Sequence, residues 1–199
     1  MNLNRVRVAS LVVGLLGFWA EASFAVEVPE KKIKEHVETS LRGIAQATLV
    51  LDAIHRQNTK HAHISEAEIR SLDQQWTGET KTAKKLLKDS VLTNRTSAYL
   101  MKVKNESHGL YTEIFVMDSK GLNVGQSDIT SDYWQGDEAK WQQTFSVGPK
   151  AIYIDKPKFD ESTQKFQIQV SFSITDVTGK NVIGAITVGM DAESLRMRE

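Results

Sequence analysis

The stretch "KFQIQVSFSI", residues 165–174, decides how the chain is read, because its side chains alternate in kind at every step. Phe166, Ile168, Val170, Phe172 and Ile174 are apolar, and Gln167, Gln169, Ser171 and Ser173 are polar. A period of two puts each set on its own face of a pleated strand, so one face belongs to a core and the other meets water or a polar cavity. Downstream, Thr178-Gly179-Lys180 turns the chain into "NVIGAITVGMD" (181–191), apolar on both faces and therefore a central strand. Gly184 and Gly189 within it point to close approach by other backbone or side chains. Upstream, "AIYID" (151–155) is another strand, and "YTEIFVMD" and "LNVGQS" form a hairpin across Ser119-Lys120-Gly121. Between hairpin and third strand a helix is predicted from about Trp134 to Phe145.

The first half has a helical period instead. From Pro29 to about Asn58, the residues Ile33, Val37, Ser40, Ile44, Ala47, Leu51 and Ile54 recur at spacings of four and three, which predicts one long amphipathic helix. Its apolar seam either lies along a sheet or pairs with a second copy, which allows a homodimer through the long N-terminal helix. Ser65 and Glu68 form a capping-box pattern, predicting a helix from Glu66 to about Trp76. Further helices are expected over roughly Glu79 to Asp89 and Arg95 to Lys104, the second with Tyr99, Leu100 and Val103 on its apolar face. Lys81, Lys84, Lys85 and Lys88 read as a solvated helix face. Long helix, smaller helices, two strands, helix and three strands make an α+β fold with an antiparallel sheet of about five strands.

Arg5 and Arg7, the apolar run from Val8 to Ala20 and the small residues up to Ala25 form a secretory signal, with cleavage expected after Ala25. The run is too short for the roughly 20 residues that span a bilayer, so cleavage is expected over a retained anchor. About 174 residues then remain, enough for one domain with its own core, made of a helical region, 26–109, and a sheet region, 110–199. The 199-residue chain has no cysteine, which excludes thiol catalysis and thiolate metal sites and suits a periplasm. Its 25 basic and 25 acidic residues balance, so nothing in the global charge invites nucleic acid. Enzyme signatures such as a Gly-x-Ser-x-Gly elbow, a phosphate-cradling loop or a His-Glu-x-x-His motif are missing from the sequence, so neither catalysis nor a cofactor is expected. His61 and His63 could open a metal site, but no third ligand completes the pattern, and a surface link is the favoured reading.

"IFVMDSKGLNVGQSD" and "NVIGAITVGMDAESL" resemble the opening hairpin and closing strand of the extracytoplasmic PAS-like sensor family, the single Cache or PDC sensor domains. The resemblance is greatest from about Leu110 to Leu195, and the long helix before it also suits the family. It implies a PAS-like sheet backed by that helix, and a small polar metabolite of carboxylate or amino-acid type held between the sheet and the helix-loop region. Family members are mostly ectodomains of membrane receptors. The expectation here is a free-standing secreted version that relays occupancy to a membrane-bound receptor kinase or cyclase. The alternative is a non-catalytic interaction or dimerisation module with a vestigial pocket.

In that scaffold "SDITSDYWQGDEAKW", residues 127–141, falls where a lid would fold over the sheet. Tyr133 and Trp134 are the foremost expected ligand contacts, since an aromatic ring gives apolar contact with little entropy loss. Asp132 either holds an amine or caps the helix that follows. Trp141 and Phe145 share a helix face expected to pack on the sheet, and Asp137 and Glu138 read as first-turn acids. Tyr153 and Asp155 on the third strand border the implied pocket, Asp155 suiting either a cationic ligand group or a turn. Tyr99 and Lys102 could complete a wall, with Lys102 meeting a carboxylate.

Overall fold

The computed structural model describes residues 27–81, 83–161 and 164–198. The expected signal segment, 1–25, lies outside them. Chain order begins with α1 (Glu30–His36), a π-helical turn (Val37–Leu41), α2 (Arg42–Ala45), α3 (Thr48–Lys60), α4 (Glu66–Glu79), α5 (Leu86–Leu92) and α6 (Arg95–Glu106). Then follow β1 (Tyr111–Met117), β2 (Asn123–Gln126), α7 (Ala139–Gln142), β3 (Ile152–Ile154), β4 (Lys158–Asp160), β5 (Lys165–Thr175), β6 (Val182–Asp191) and α8 (Ala192–Met197). The fold is α+β. Six antiparallel strands are arranged β2-β1-β6-β5-β3, with β4 beside β3 on the same edge of β5.

Strand β6 is central, as its two apolar faces require, and is buried along nearly all its length. The alternation of β5 resolves as expected. Ile168, Val170, Phe172 and Ile174 join Ile114, Val116, Ile186 and Val188 in the main core, on which Val37, Leu41, Ala45, Leu51 and Ile54 pack from the helical side. The long helix seam therefore faces the sheet, the first of the two readings it allowed.

That helix is not continuous, however. The buried positions are Ile33, Val37, Leu41 and Ala45, each four residues from the last, and Ser40 points to solvent. A 3.6-residue repeat drifts off the sheet over such a series, and the wider π turn at Val37–Leu41 restores the facing. A second break follows at Ala47, which takes an extended conformation with φ −59° and ψ 130°.

Ser65 and Glu68 form the capping box, and α4 runs on to Glu79. The helix predicted over Glu79 to Asp89 begins instead at Leu86, because the Glu79 carboxylate accepts hydrogen bonds from the backbone N–H groups of Leu87 and Lys88 and so starts a separate helix. One member of the lysine group is not solvated. Lys88 is buried, donates to Thr80 Oγ1 and lies 5.3 Å from the Trp76 ring centroid.

The helix predicted from Trp134 to Phe145 shrinks to the four residues of α7. Its expected first turn is pulled into extended backbone: Trp134 bridges Leu122, Asn123 N–H donates to the Tyr133 carbonyl, and Gln135 N–H donates to the Gly121 carbonyl. Trp141 and Phe145 do pack on the sheet, stacked 4.8 Å apart against Phe115, Met117 and Ala185. Strand β4 and helix α8 were not anticipated. The first is three residues after a proline, too short to show a period.

Gly184 answers the close approach expected of it. A Cβ there would collide with the Met117 carbonyl oxygen, which is backbone and cannot swing aside. Gly184→Ala is expected to cost about 1–3 kcal/mol, read as a lower urea midpoint with an unchanged denaturant slope.

Candidate functional site

The polar face of the sheet opens into a cleft of about 520 Å³. Its floor is Glu113 from β1 with Gln167 and Gln169 from β5. Tyr153 and Asp155 at the end of β3, with Lys156, Lys158, Phe159 and Asp160 leading into and along β4, form one wall, and Glu138 to Lys140 at the start of α7 form the other. Two of the four polar residues of the "KFQIQVSFSI" alternation, Gln167 and Gln169, therefore line the cavity, while Ser171 and Ser173 are buried against Thr187 and the Thr144 and Gly148 carbonyls.

Glu113 and Gln169 belong to strands that are not neighbours, since both pair with Gly189 of β6 from opposite sides. Neighbouring strands lie about 4.8 Å apart, so a side chain on β6 would stand between them. Gly189 has none, and Gln169 Nε2 reaches across to donate to Glu113 Oε1 at 2.7 Å, beside Gln167 Nε2 at 2.5 Å.

The walls carry charge of both signs. Asp155 accepts from Lys158 Nζ at 2.7 Å and from its neighbour's backbone, Lys156 N–H, at 2.8 Å. Burial alone would raise the Asp155 carboxyl, but these hydrogen bonds and the charges of Lys158 and Lys140 hold it below its ordinary value. The same hydrogen bond, and the charge behind it, raise Lys158. Lys140 is largely covered, with Nζ 2.9 Å from Glu138 Oε2, 3.3 Å from Gln135 Oε1 and 5.5 Å from the Phe115 ring centroid.

Of the seven expected ligand residues, this cleft gathers Tyr153 and Asp155. Tyr133 sits elsewhere, 4% exposed in a second small core with Ile69, Trp76, Val91 and Leu122. Its ring stacks on Trp76 at 5.5 Å, and burial, followed by the charge of Asp118, pushes its hydroxyl well above the usual range. Trp134 turns inward, donating Nε1–H to the Lys120 carbonyl while its ring covers Gly136. Asp132 does not cap the helix. Its carboxylate accepts from Ser131 Oγ, and its carbonyl accepts from Asn123, Thr130 and Gln135. The backbone N–H groups of Tyr133 and Trp134 are taken by Asp73 Oδ1 of α4, at 2.8 and 2.9 Å. Tyr99 is half-buried against the main core on the other face of the sheet. Lys102 is exposed and paired with Glu106, one helical turn on.

His61 is likewise not a surface link. It is buried with Nδ1 2.8 Å from Asp118 Oδ2, while His63 is exposed, and among the described residues no three acidic or imidazole side chains gather as a metal site would need. Glu113, Gln167, Gln169 and Lys140 are site residues that the sequence did not single out by role. The available signals were the polar face of β5 and the glycine at 189.

No protein-family model matches the chain, and no curated protein matches it. Among solved structures it is similar to the sensory domain of the Campylobacter jejuni chemoreceptor Tlp3, at 11% identity and TM-score 0.39, covering 83% of this chain and 64% of that one. It is also similar to the V. cholerae histidine kinase DctB sensor domain, at 14% identity and TM-score 0.36, covering 85% and 66%. A third is the ligand-binding domain of the Pseudomonas aeruginosa PAO1 amino acid chemoreceptor PctC in complex with GABA, at 11% identity and TM-score 0.40, covering 70% and 63%. In each case this chain spans less than two thirds of the other's length. The chain is similar in fold to sensor domains of chemoreceptors and a histidine kinase.

Proposed function

We propose that this chain is a non-catalytic, extracytoplasmic sensor-type domain that binds a small polar metabolite of carboxylate or amino-acid type in the cleft between β3–β4 and α7. The observation that carries the reading is the cleft itself, within the size range of small-molecule sites and walled by acids and lysines held in defined positions. Strands β1, β5 and β6 touch both layers. They present Glu113, Gln167 and Gln169 to the cleft, and Ile114, Val170 and Val188 to the helices. A ligand that shifts these strands shifts the helical layer with them, and that layer relays occupancy to a membrane-bound receptor kinase or cyclase. A homodimer through the N-terminal helical stretch from α1 to α2 would use its outer face, where Glu30–Lys34, Lys31–Glu35 and Glu38–Arg42 are already paired.

Thermal-shift screening against carboxylates, amino acids, polyamines and purines tests the reading. A ligand at a hundred times its dissociation constant adds about 2.7 kcal/mol, which raises Tm by roughly 5–10 °C in a domain of this size. A Tyr153→Ala, Asp155→Ala double variant is expected to lose that shift. A flat response across the panel sinks the sensor reading and leaves the interaction module.

A further inference from the structure

The acids around the cleft are not equivalent. Asp155 is paired with Lys158, and Glu138 with Lys140. Glu113 has only the amides of Gln167 and Gln169 on its Oε1, and no lysine, arginine or histidine among the described residues forms an ion pair with it. Beside it Gln167 is 8% exposed, and its Oε1 is a buried acceptor with no donor. A carboxylate without a cation next to an amide oxygen without a donor is an arrangement that a ligand completes. Gly189 lets the two side chains meet across β6, since a Cβ there would lie 2.6 Å from Gln167 Nε2 and from Thr112 Oγ1, and 2.8 Å from Glu113 Cγ.

We infer that the floor of the cleft is a primary-ammonium site, in which the ligand's NH3⁺ donates to the Glu113 carboxylate and to Gln167 Oε1. This rests on the cleft being a ligand site. An ammonium carries three N–H donors on a compact head, which suits two acceptors on neighbouring side chains. A guanidinium fork suits a carboxylate with both oxygens free, and here the two amides already occupy Oε1. A calcium ion takes six to eight oxygens, and among the described residues no cluster of three acidic or imidazole groups supplies them. Lys140, Lys156 and Lys158 stand on the walls above, so the carboxylate of an amino acid bound by its amine would face positive charge. A diamine shares the ammonium but not that second contact.

Calorimetric titration of the full chain with four probes of similar size tests the inference: β-alanine, propylamine, putrescine and propionate. The ammonium-bearing probes are expected to bind, with propionate at least about tenfold weaker. Glu113→Gln keeps the shape and an acceptor for the neighbouring amides, and is expected to weaken the amines by about 10–100-fold. β-Alanine tighter than propylamine, with the advantage lost in Lys140→Met, identifies an amino acid. Putrescine equal to or tighter than β-alanine identifies a diamine, and both results support the ammonium floor. Propionate binding as tightly as β-alanine overturns it in the unmutated protein, whatever the stability of the variant, and so does an unchanged affinity in folded Glu113→Gln. Either result leaves the cleft a ligand site, whereas silence from all four probes and from the wider panel removes both readings.

Discussion

Asp118→Ala is expected to lower the unfolding free energy by about 3–5 kcal/mol. The carboxylate is fully buried at the β1–β2 turn and serves four partners. Oδ1 accepts from the backbone N–H groups of Lys120 and Leu122 at 2.8 and 2.9 Å, while Oδ2 accepts from Gln57 Nε2 at 3.1 Å and meets His61 Nδ1 at 2.8 Å. Alanine would leave two backbone donors, an amide and a buried imidazole without that acceptor, and an orphaned buried donor loses its full desolvation cost. Asp118→Asn keeps one oxygen for the turn but presents an NH2 to Gln57 and His61, so its loss should fall between those of the parent and the alanine variant. Urea unfolding followed by circular dichroism measures both. An alanine midpoint equal to that of the unchanged protein would show that the turn does not depend on the carboxylate.

Trp76→Ala carries an effect of similar size, about 3–5 kcal/mol. The side chain is fully buried, donates Nε1–H to the Thr130 carbonyl at 3.0 Å, stacks on Tyr133, and lies under Lys88. It supports the 127–135 segment from below, so its loss should expose Tyr133, and the near-ultraviolet dichroism of the segment should collapse before the far-ultraviolet signal does. Trp76→Phe retains a ring for Tyr133 but not the N–H, and a loss of about 1–2 kcal/mol is expected. Equal losses in the two variants would mean that the hydrogen bond, and not the packing, holds the segment.

Legibility in the sequence followed the range of the interaction. The faces of β5, the central position of β6, the Ser65–Glu68 capping box and the turn at Gly121 were all readable, because each depends on residues within a few positions of one another. Gly121 has φ +81°, a conformation that a side chain would resist. The segment 127–141 was readable in composition but not in role. Its rings suggested a lid over a ligand, and they close instead on Trp76 and the Lys120 carbonyl. Asp73, which takes the two backbone donors expected to open a helix, lies 60 residues before Tyr133, and no local pattern links the two.

The sequence by itself determined the α+β class, the antiparallel sheet, and the polar face of β5 whose Gln167 and Gln169 floor the cleft. Period-two and period-3.6 burial are written into consecutive side chains, so these follow without the fold. Only the tertiary structure decided that Glu113, among the described residues, meets two side-chain amides and forms no ion pair. Glu113 meets Gln167, 54 residues later, solely because β6 lies between their strands with a glycine at the crossing. Whether a charge is satisfied depends on strand register across the sheet, and register is a property of paired strands that neither strand carries alone.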